Sequence, residues 1–214
     1  MEQLETIVEE IRLEFEAKNA ARDAALQRSR ALIRHCANAI RATHRGDFAE
    51  AERLLTTARE TARRMIADLE PFPDLYYAGY TQDSLKEYVE ACCVYAFVCD
   101  GELPTPEALG VEAAAYLKGL AEAASELRRH SLDLMRQNRL DRAETMLDIM
   151  DEVYSRLMTM DFPDAITAGL RRTTDMLRGV VNRTRGDLTT AIRQEMMRQA
   201  LQDFETKMAR FGDE

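Results

Sequence analysis

Two acidic residues beside an apolar segment are the first candidates for chemistry in this sequence. Glu87 and Glu90 are three residues apart, and the apolar run 92–99 that follows is typical of a buried helix. On a helix, this spacing leaves the two side chains about 60° apart on one face. Like charges at that separation destabilise a helix unless a cation binds them. The pair is therefore a candidate metal site, and a solvated helix face is the alternative.

A second acidic pair, Glu122 and Glu126, has a spacing of four residues and also falls in a helical pattern. If both pairs converged, four carboxylates would suit Mg²⁺, or Mn²⁺ as an alternative, because hard cations prefer oxygen ligands. A water bound to such a cation has a lowered pKa and can attack a phosphodiester. The sequence does not show that the pairs meet, so an exposed helix surface remains the alternative for the second pair as well.

A row of arginines in the first predicted helix is the basic counterpart of these acids. The row consists of Arg30, Arg34, Arg41 and Arg45. Spacings of four, seven and four residues keep the four side chains on one helical face. The whole chain carries a formal net charge of −9 with a pI near 5.0, so a nucleic acid needs a local basic surface. We take this arginine stripe as the candidate RNA-binding surface, with a solvated face paired to acidic neighbours as the alternative.

The elements that carry these residues are predicted to be helices throughout. Hydrophobic residues make up 46% of the 214 residues and charged residues 31%, and Ala, Glu, Arg, Leu and Met are strong helix formers. We expect one all-α domain over residues 1–214. The predicted helices cover about 4–45, 48–69, 81–99, 111–137 and 140–160. A sixth begins at Pro163, and Gly186-Asp187 is expected to separate it from a last helical segment.

The sequence also bears on compartment. The N-terminus is acidic and lacks the features of a signal peptide, and no apolar run approaches the roughly 18 residues of a membrane span. We expect a soluble, cytoplasmic protein with no membrane partner. The four cysteines lack metal-ligand spacing, so reduced and packed thiols are expected at Cys36, Cys92, Cys93 and Cys99.

Several separate motifs resemble the translin family, most closely its catalytic branch, translin-associated factor X. They are EYVEA at 87–91, YLKGLAE at 116–122, SEL at 125–127, Ser29-Arg30, and TRG at 184–186. The resemblance covers about residues 5–190. The short chain without long insertions is similar to the archaeal or bacterial single-gene members of the family.

This resemblance implies an all-α subunit of seven helices, arranged as a bundle, that assembles into a hollow homo-oligomer, expected to be an octamer. It implies a Mg²⁺-dependent endoribonuclease that cuts single-stranded or loosely structured RNA inside the shell. The family's catalytic and metal-binding acids correspond to Glu87, Glu90, Glu122 and Glu126, with Glu122 at a position that is usually aspartate. The basic, histidine-rich segment of the non-catalytic branch is replaced here by residues 77–83, so RNA contacts are assigned to the arginine stripe.

Two other functions compete with the nuclease. One is a non-catalytic assembly that binds RNA or single-stranded DNA, in which the acids are structural. The other is a helical scaffold for protein partners, which would have neither RNA affinity nor metal dependence.

Overall fold

A computed structural model describes residues 1–212 of the chain, and the side chains of residues 1–209. Throughout this part every regular element is a helix, which confirms the all-α prediction. In chain order the helices are α1 (Glu2–His44), α2 (Phe48–Leu69), α3 (Pro73–Tyr76), α4 (Gly79–Val98), α5 (Pro106–Leu109), α6 (Ala113–Arg136), α7 (Leu140–Leu157), α8 (Asp164–Thr167) and α9 (Leu170–Gly212). None of these helices is long and apolar enough to cross a membrane.

The chain forms two compact units. The first unit comprises residues 1–123 and 162–170, and the second comprises residues 124–161 and the chain from Arg171 onward. The boundary therefore falls within α6.

In the first unit, α1 packs against α2 and α4 only along its second half. Its first buried residue is Ala25, and residues 2–17, about 24 Å of helix at 1.5 Å per residue, are all exposed and extend beyond the core. α1 ends before Gly46, which has a φ of 75°, a left-handed conformation that glycine adopts without strain. Asp47 then caps α2, because its side chain accepts a hydrogen bond of 3.3 Å from the backbone N–H of Glu50.

α4 is the central helix of the first unit. Twelve of its twenty residues are buried, so it is covered on most sides, and it contacts α1, α2 and α3. Tyr88 and Val89 are among its fully buried residues. This burial follows from the apolar run that the sequence shows at 92–99 and fixes the orientation of the polar residues that remain on α4.

The second unit is held by an apolar core and by ion pairs between its helices. Met146 and Met150 of α7 and Leu177 of α9 are fully buried. Arg128 on α6 donates to the carboxylate of Asp187 on α9 at 2.7 Å and to the hydroxyl of Thr184 at 3.1 Å. These bonds join the C-terminal half of α6 to the middle of α9.

The predicted break at Gly186-Asp187 is wrong, since α9 runs through it without interruption. A glycine inside a helix costs only about 1 kcal/mol relative to alanine, and the contacts of Arg128 at this position favour a continuous helix. The break lies earlier, at Ala168 and Gly169, whose φ values are 49° and 83°. Single-turn helices also follow Phe72 and Thr105, in segments that lie between the predicted helices, because proline is well suited to the first turn of a helix.

Candidate metal centre

The first two candidate acids lie on the partly exposed edge of a buried helix. Glu87 and Glu90 are half-buried on α4, whereas the two residues between them, Tyr88 and Val89, point into the core. Because the intervening residues are fixed by packing, the two carboxylates project from the same side of α4 with little freedom to move apart.

A glycine brings the second helix unusually close to the first. A Cβ atom built on Gly119 of α6 would lie 2.6 Å from the carbonyl oxygen of Lys86 and 2.7 Å from the Cβ of Val89. Both distances are far shorter than van der Waals contact, so α6 and α4 approach this closely only because residue 119 has no side chain. Glu122 follows one turn later on α6, and this close approach carries its carboxylate to α4.

Three of the four predicted acids therefore meet. Glu87, Glu90 and Glu122 each offer a carboxylate oxygen, and the three oxygens lie within 4.8 Å of one another. An octahedral Mg²⁺ site with metal–oxygen distances of about 2.1 Å separates its ligand atoms by about 3 to 4.2 Å. Small side-chain rotations would bring the acidic cluster, as we call these three residues, to that geometry, so the donors present fit a hard divalent cation.

Lys86 lies beside the acidic cluster and bonds to two of its three acids. Its ammonium group lies 3.0 Å from Oε1 of Glu87 and also forms a short ion pair with Glu122. Burial disfavours the charged form of Lys86, but the bonds to Glu122 and Glu87 outweigh that effect and raise its pKa. Lys86 is therefore charged at neutral pH. The ammonium group bonds to two of the three acids, and the carboxylate oxygens of the cluster are the donor atoms that a divalent cation prefers.

The nearby thiols are poor ligands for a metal at this position. Burial is the main cause that raises the pKa of Cys92 and of Cys93 to about 12, and metals bind the thiolate rather than the thiol. Burial also raises the pKa of Cys36 on α1, and the charges of Cys92, Glu87 and Glu90 add to that effect. The cysteines are not in disulfides within the described chain, in agreement with reduced, packed thiols.

The fourth predicted acid, Glu126, is half-buried one turn beyond Glu122 on α6. It falls in the second unit and is not one of the three residues of the acidic cluster. Its role as a ligand or catalytic residue stays a prediction.

The arginine stripe lies on the exposed surface of α1. All four of its residues are exposed, and Arg41 bonds to Oδ1 of Asn38 at 2.7 Å. Within the described residues, none of the four has a carboxylate partner at ion-pair distance, in contrast to Arg28, which pairs with Asp68 at 2.5 Å. The expected pairing with acidic neighbours is thus not seen for the stripe. Its role in RNA binding stays a prediction.

Sequence reasoning missed two residues that shape this centre. Lys86 directly precedes Glu87, and its place in the acidic cluster follows from the approach of α6, which no local pattern reveals. Gly119 was available as a signal, because an isolated glycine in a strongly helical pattern often marks close helix packing.

Comparison with known proteins gives three kinds of result. No protein-family model matches the chain. An uncharacterized protein of Methanocaldococcus jannaschii is 30% identical over 185 residues, which cover 86% of this chain and 82% of that protein. A structure of AfC3PO in complex with duplex RNA is 34% identical, with a TM-score of 0.82 over 88% of this chain and 98% of that one.

Two further solved structures are similar. A crystal structure of AfC3PO is 32% identical, with a TM-score of 0.82 over 88% of this chain and 98% of that chain. A crystal structure of apo-NeC3PO is 21% identical, with a TM-score of 0.79 over 86% of this chain and 96% of that chain, and this likeness concerns the fold alone.

Proposed function

The chain belongs to the translin family, which includes the C3PO proteins, and we propose that it is a divalent-cation-dependent endoribonuclease that acts as a homo-oligomer. The observation that carries this proposal is the acidic cluster, in which three half-buried carboxylate oxygens from two helices lie within 4.8 Å of one another. Clusters of this kind hold Mg²⁺ or Mn²⁺ in enzymes that hydrolyse phosphodiesters.

We assign RNA as the substrate, in a single-stranded or loosely structured form. Support comes from the AfC3PO structure with duplex RNA, because this chain is 34% identical to that protein over nearly all of its length. Cleavage and binding are therefore to be measured with both single-stranded and duplex RNA, and with single-stranded DNA as a further ligand. The arginine stripe supplies exposed guanidinium groups for phosphate contacts in an otherwise acidic protein.

The acids have distinct roles in this proposal. When bound, a Mg²⁺ or Mn²⁺ ion supplies a water of lowered pKa and neutralises negative charge on the phosphodiester. Glu87, Glu90 and Glu122 would hold that ion, since their carboxylate oxygens lie together where α4 and α6 meet. Glu126 is proposed as the fourth acid, which orients or deprotonates the attacking water. The arginines of the stripe hold phosphates of the RNA backbone inside the oligomeric cavity.

An exposed apolar stripe on α1 supports the homo-oligomer, for which we propose an octamer. The stripe consists of Leu4, Ile7, Val8, Ile11 and Phe15, and these side chains are between 45% and 64% exposed. Spacings of three and four residues place them on one helical face. A contiguous row of this kind on a helix that extends beyond its core is typical of a protein interface.

The assembly is tested by light scattering on full-length variants. Ile11→Asp/Phe15→Asp is expected to lower the mass from that of an oligomer to that of smaller species, because it places charge in the apolar stripe. Leu13→Asp is the matched control, since Leu13 is also exposed but lies on the opposite face of α1. Equal masses for wild type and both variants would remove this stripe from the interface.

A non-catalytic assembly that binds RNA or single-stranded DNA is the second candidate. The ion pairs of Lys86 with Glu87 and Glu122 favour it, because they give the acids a structural role that needs no metal. A cytoplasmic location remains a prediction from the sequence.

Cleavage and binding measured together separate the two candidates. End-labelled RNA is incubated with wild type, Glu90→Ala and Glu126→Ala in Mg²⁺ or EDTA, and the same samples are run as gel shifts. The nuclease predicts that Glu90→Ala abolishes cleavage and keeps RNA binding, and the effect of Glu126→Ala decides whether the fourth acid takes part. Glu60→Ala, an exposed acid on α2, is the control. Binding without cleavage in wild type selects the non-catalytic assembly.

A further inference from the structure

Lys86 is a cationic residue that bonds to two acids of the acidic cluster. Its side chain is 14% exposed, against 40% for Lys18, which pairs with Asp74 elsewhere in the first unit. The ammonium group of Lys86 bonds to one acid on its own helix, Glu87, and to one on the facing helix, Glu122. It therefore links α4 to α6 at the position where the carboxylates meet.

We propose that Lys86 is a positioning residue that acts as an internal cation. Its ammonium group holds Glu87 and Glu122 together in the metal-free protein, and it leaves these carboxylates when a divalent cation binds them. The inference deepens the proposed function and rests on the acidic cluster being the metal site.

In the metal-free protein, the acidic cluster needs a positive charge to stay assembled. Three carboxylates whose oxygens lie within 4.8 Å of one another repel strongly in a half-buried setting. Separation of α4 and α6 to relieve this repulsion would break the close packing at Gly119. An ammonium group between the acids supplies the missing positive charge, so the cluster stays assembled before a metal arrives.

Lys86 and a divalent cation bind the same carboxylate oxygens, and the ligand oxygens of an octahedral ion lie about 3 to 4.2 Å apart. No room remains between Glu87 and Glu122 for the ammonium group in its present position once an ion is bound there. Displacing Lys86 therefore subtracts from the free energy of metal binding.

These two roles predict effects of opposite sign when the ammonium group is removed. Lys86→Met lowers the stability of the metal-free protein, because the acids lose their counter-charge. The same substitution tightens metal binding, because no ion pair has to be broken. If Lys86 had a merely structural role, Lys86→Met would lower the stability and leave metal binding weaker or unchanged, because a disordered cluster holds a cation less well.

The experiment uses Mn²⁺ as the probe on the full-length chain. Binding is measured by electron paramagnetic resonance of free Mn²⁺, and thermal unfolding is followed in EDTA and in Mn²⁺. We expect Lys86→Met to bind Mn²⁺ about tenfold more tightly than wild type. We also expect a lower Tm in EDTA and a larger rise in Tm on adding Mn²⁺. Lys86→Gln, which keeps a hydrogen-bond donor, serves if the methionine variant fails to fold.

Lys18→Met is the matched control, because it also removes one ion-paired lysine from the first unit but leaves the cluster intact. Its Mn²⁺ affinity should stay within about twofold of wild type. An equal gain in affinity in Lys18→Met would assign the effect to net charge and overturn the inference.

The remaining outcomes separate this inference from the proposed function. If wild type binds Mn²⁺ through the acids, as shown by loss of binding in Glu87→Ala/Glu90→Ala, but Lys86→Met binds no more tightly, the role of Lys86 is refuted and the nuclease stands. If neither wild type nor Lys86→Met shows binding that depends on the acids, the metal site and the inference both fail.

Discussion

The acidic cluster and the arginine stripe are both candidate functional surfaces of the first unit, but they are built in different ways. The cluster lies where two helices touch, its side chains are half-buried, and its geometry depends on backbone packing at Gly119. The stripe lies on the exposed face of α1 and on the residue that caps it, and its positions depend only on the helical repeat. Catalysis requires side chains held in place by packing between helices, as in the acidic cluster, because reacting groups must be fixed within a fraction of an ångström. Binding of a flexible polyanion requires only a row of charges on an exposed surface, as in the arginine stripe.

This contrast predicts its largest effect at Glu122. Glu122→Gln keeps the size of the side chain and removes its charge, so we expect cleavage to fall at least about 100-fold with little change in RNA affinity. The check is single-turnover cleavage of labelled RNA beside a binding titration of the same variant. Glu60→Gln on α2 is the control. A Glu122→Gln variant that cleaves at the wild-type rate would remove Glu122 from the catalytic centre.

The second largest effect is expected at Gly119, where α4 and α6 pack closely beside the acidic cluster. Gly119→Ala places a methyl group against Lys86 and Val89, and we expect it to destabilise the protein by about 1–3 kcal/mol and to weaken metal-dependent cleavage. Urea unfolding gives the stability, and the same cleavage assay gives the activity.

Gly186→Ala is the matched control for that substitution. Gly186 lies inside α9 with no atom within 4 Å of a Cβ at its position, so alanine there should stabilise the protein by about 0.5–1 kcal/mol. A destabilising Gly186→Ala would contradict the continuous α9 helix. A stabilising Gly119→Ala would contradict the close approach of α4 and α6.

The smallest effect is expected at the arginine stripe. Arg30→Gln/Arg34→Gln should weaken RNA binding several-fold, leave the cleavage rate of bound RNA unchanged, and lower the slope of log affinity against log salt by about 1.4 for a single strand. Affinities measured at several salt concentrations test this. Arg63→Gln/Arg64→Gln, on α2, removes the same charge outside the stripe. If the two double variants change the RNA affinity and its salt dependence equally, RNA does not bind preferentially at the arginine stripe.

The same contrast explains what the sequence could predict. The stripe and the pair Glu87 and Glu90 follow from spacing on one helix, and the helix boundaries from apolar periodicity and turn residues. The meeting of Glu122 with that pair does not follow from local pattern, because it depends on how two helices pack, and only the family resemblance indicated it.

The wrong break at Gly186 has a related cause. A glycine lowers helix propensity by only about 1 kcal/mol, which tertiary contacts such as the bonds of Arg128 to Thr184 and Asp187 outweigh. The contact of Lys86 with Glu122 does not follow from local pattern either, because it joins residues on two helices.

We propose that a divalent cation binds between α4 and α6, and a map of the ion's position tests this proposal most directly. Fe²⁺ is bound in place of Mg²⁺, ascorbate and peroxide are added, and the sites of backbone cleavage are identified by mass spectrometry. We predict cuts near residues 86–91 and 118–123 that excess Mg²⁺ suppresses and that Glu87→Ala/Glu90→Ala loses. Cuts elsewhere in the chain, or cuts that persist unchanged in that variant, would contradict the assignment of the acidic cluster as the metal centre.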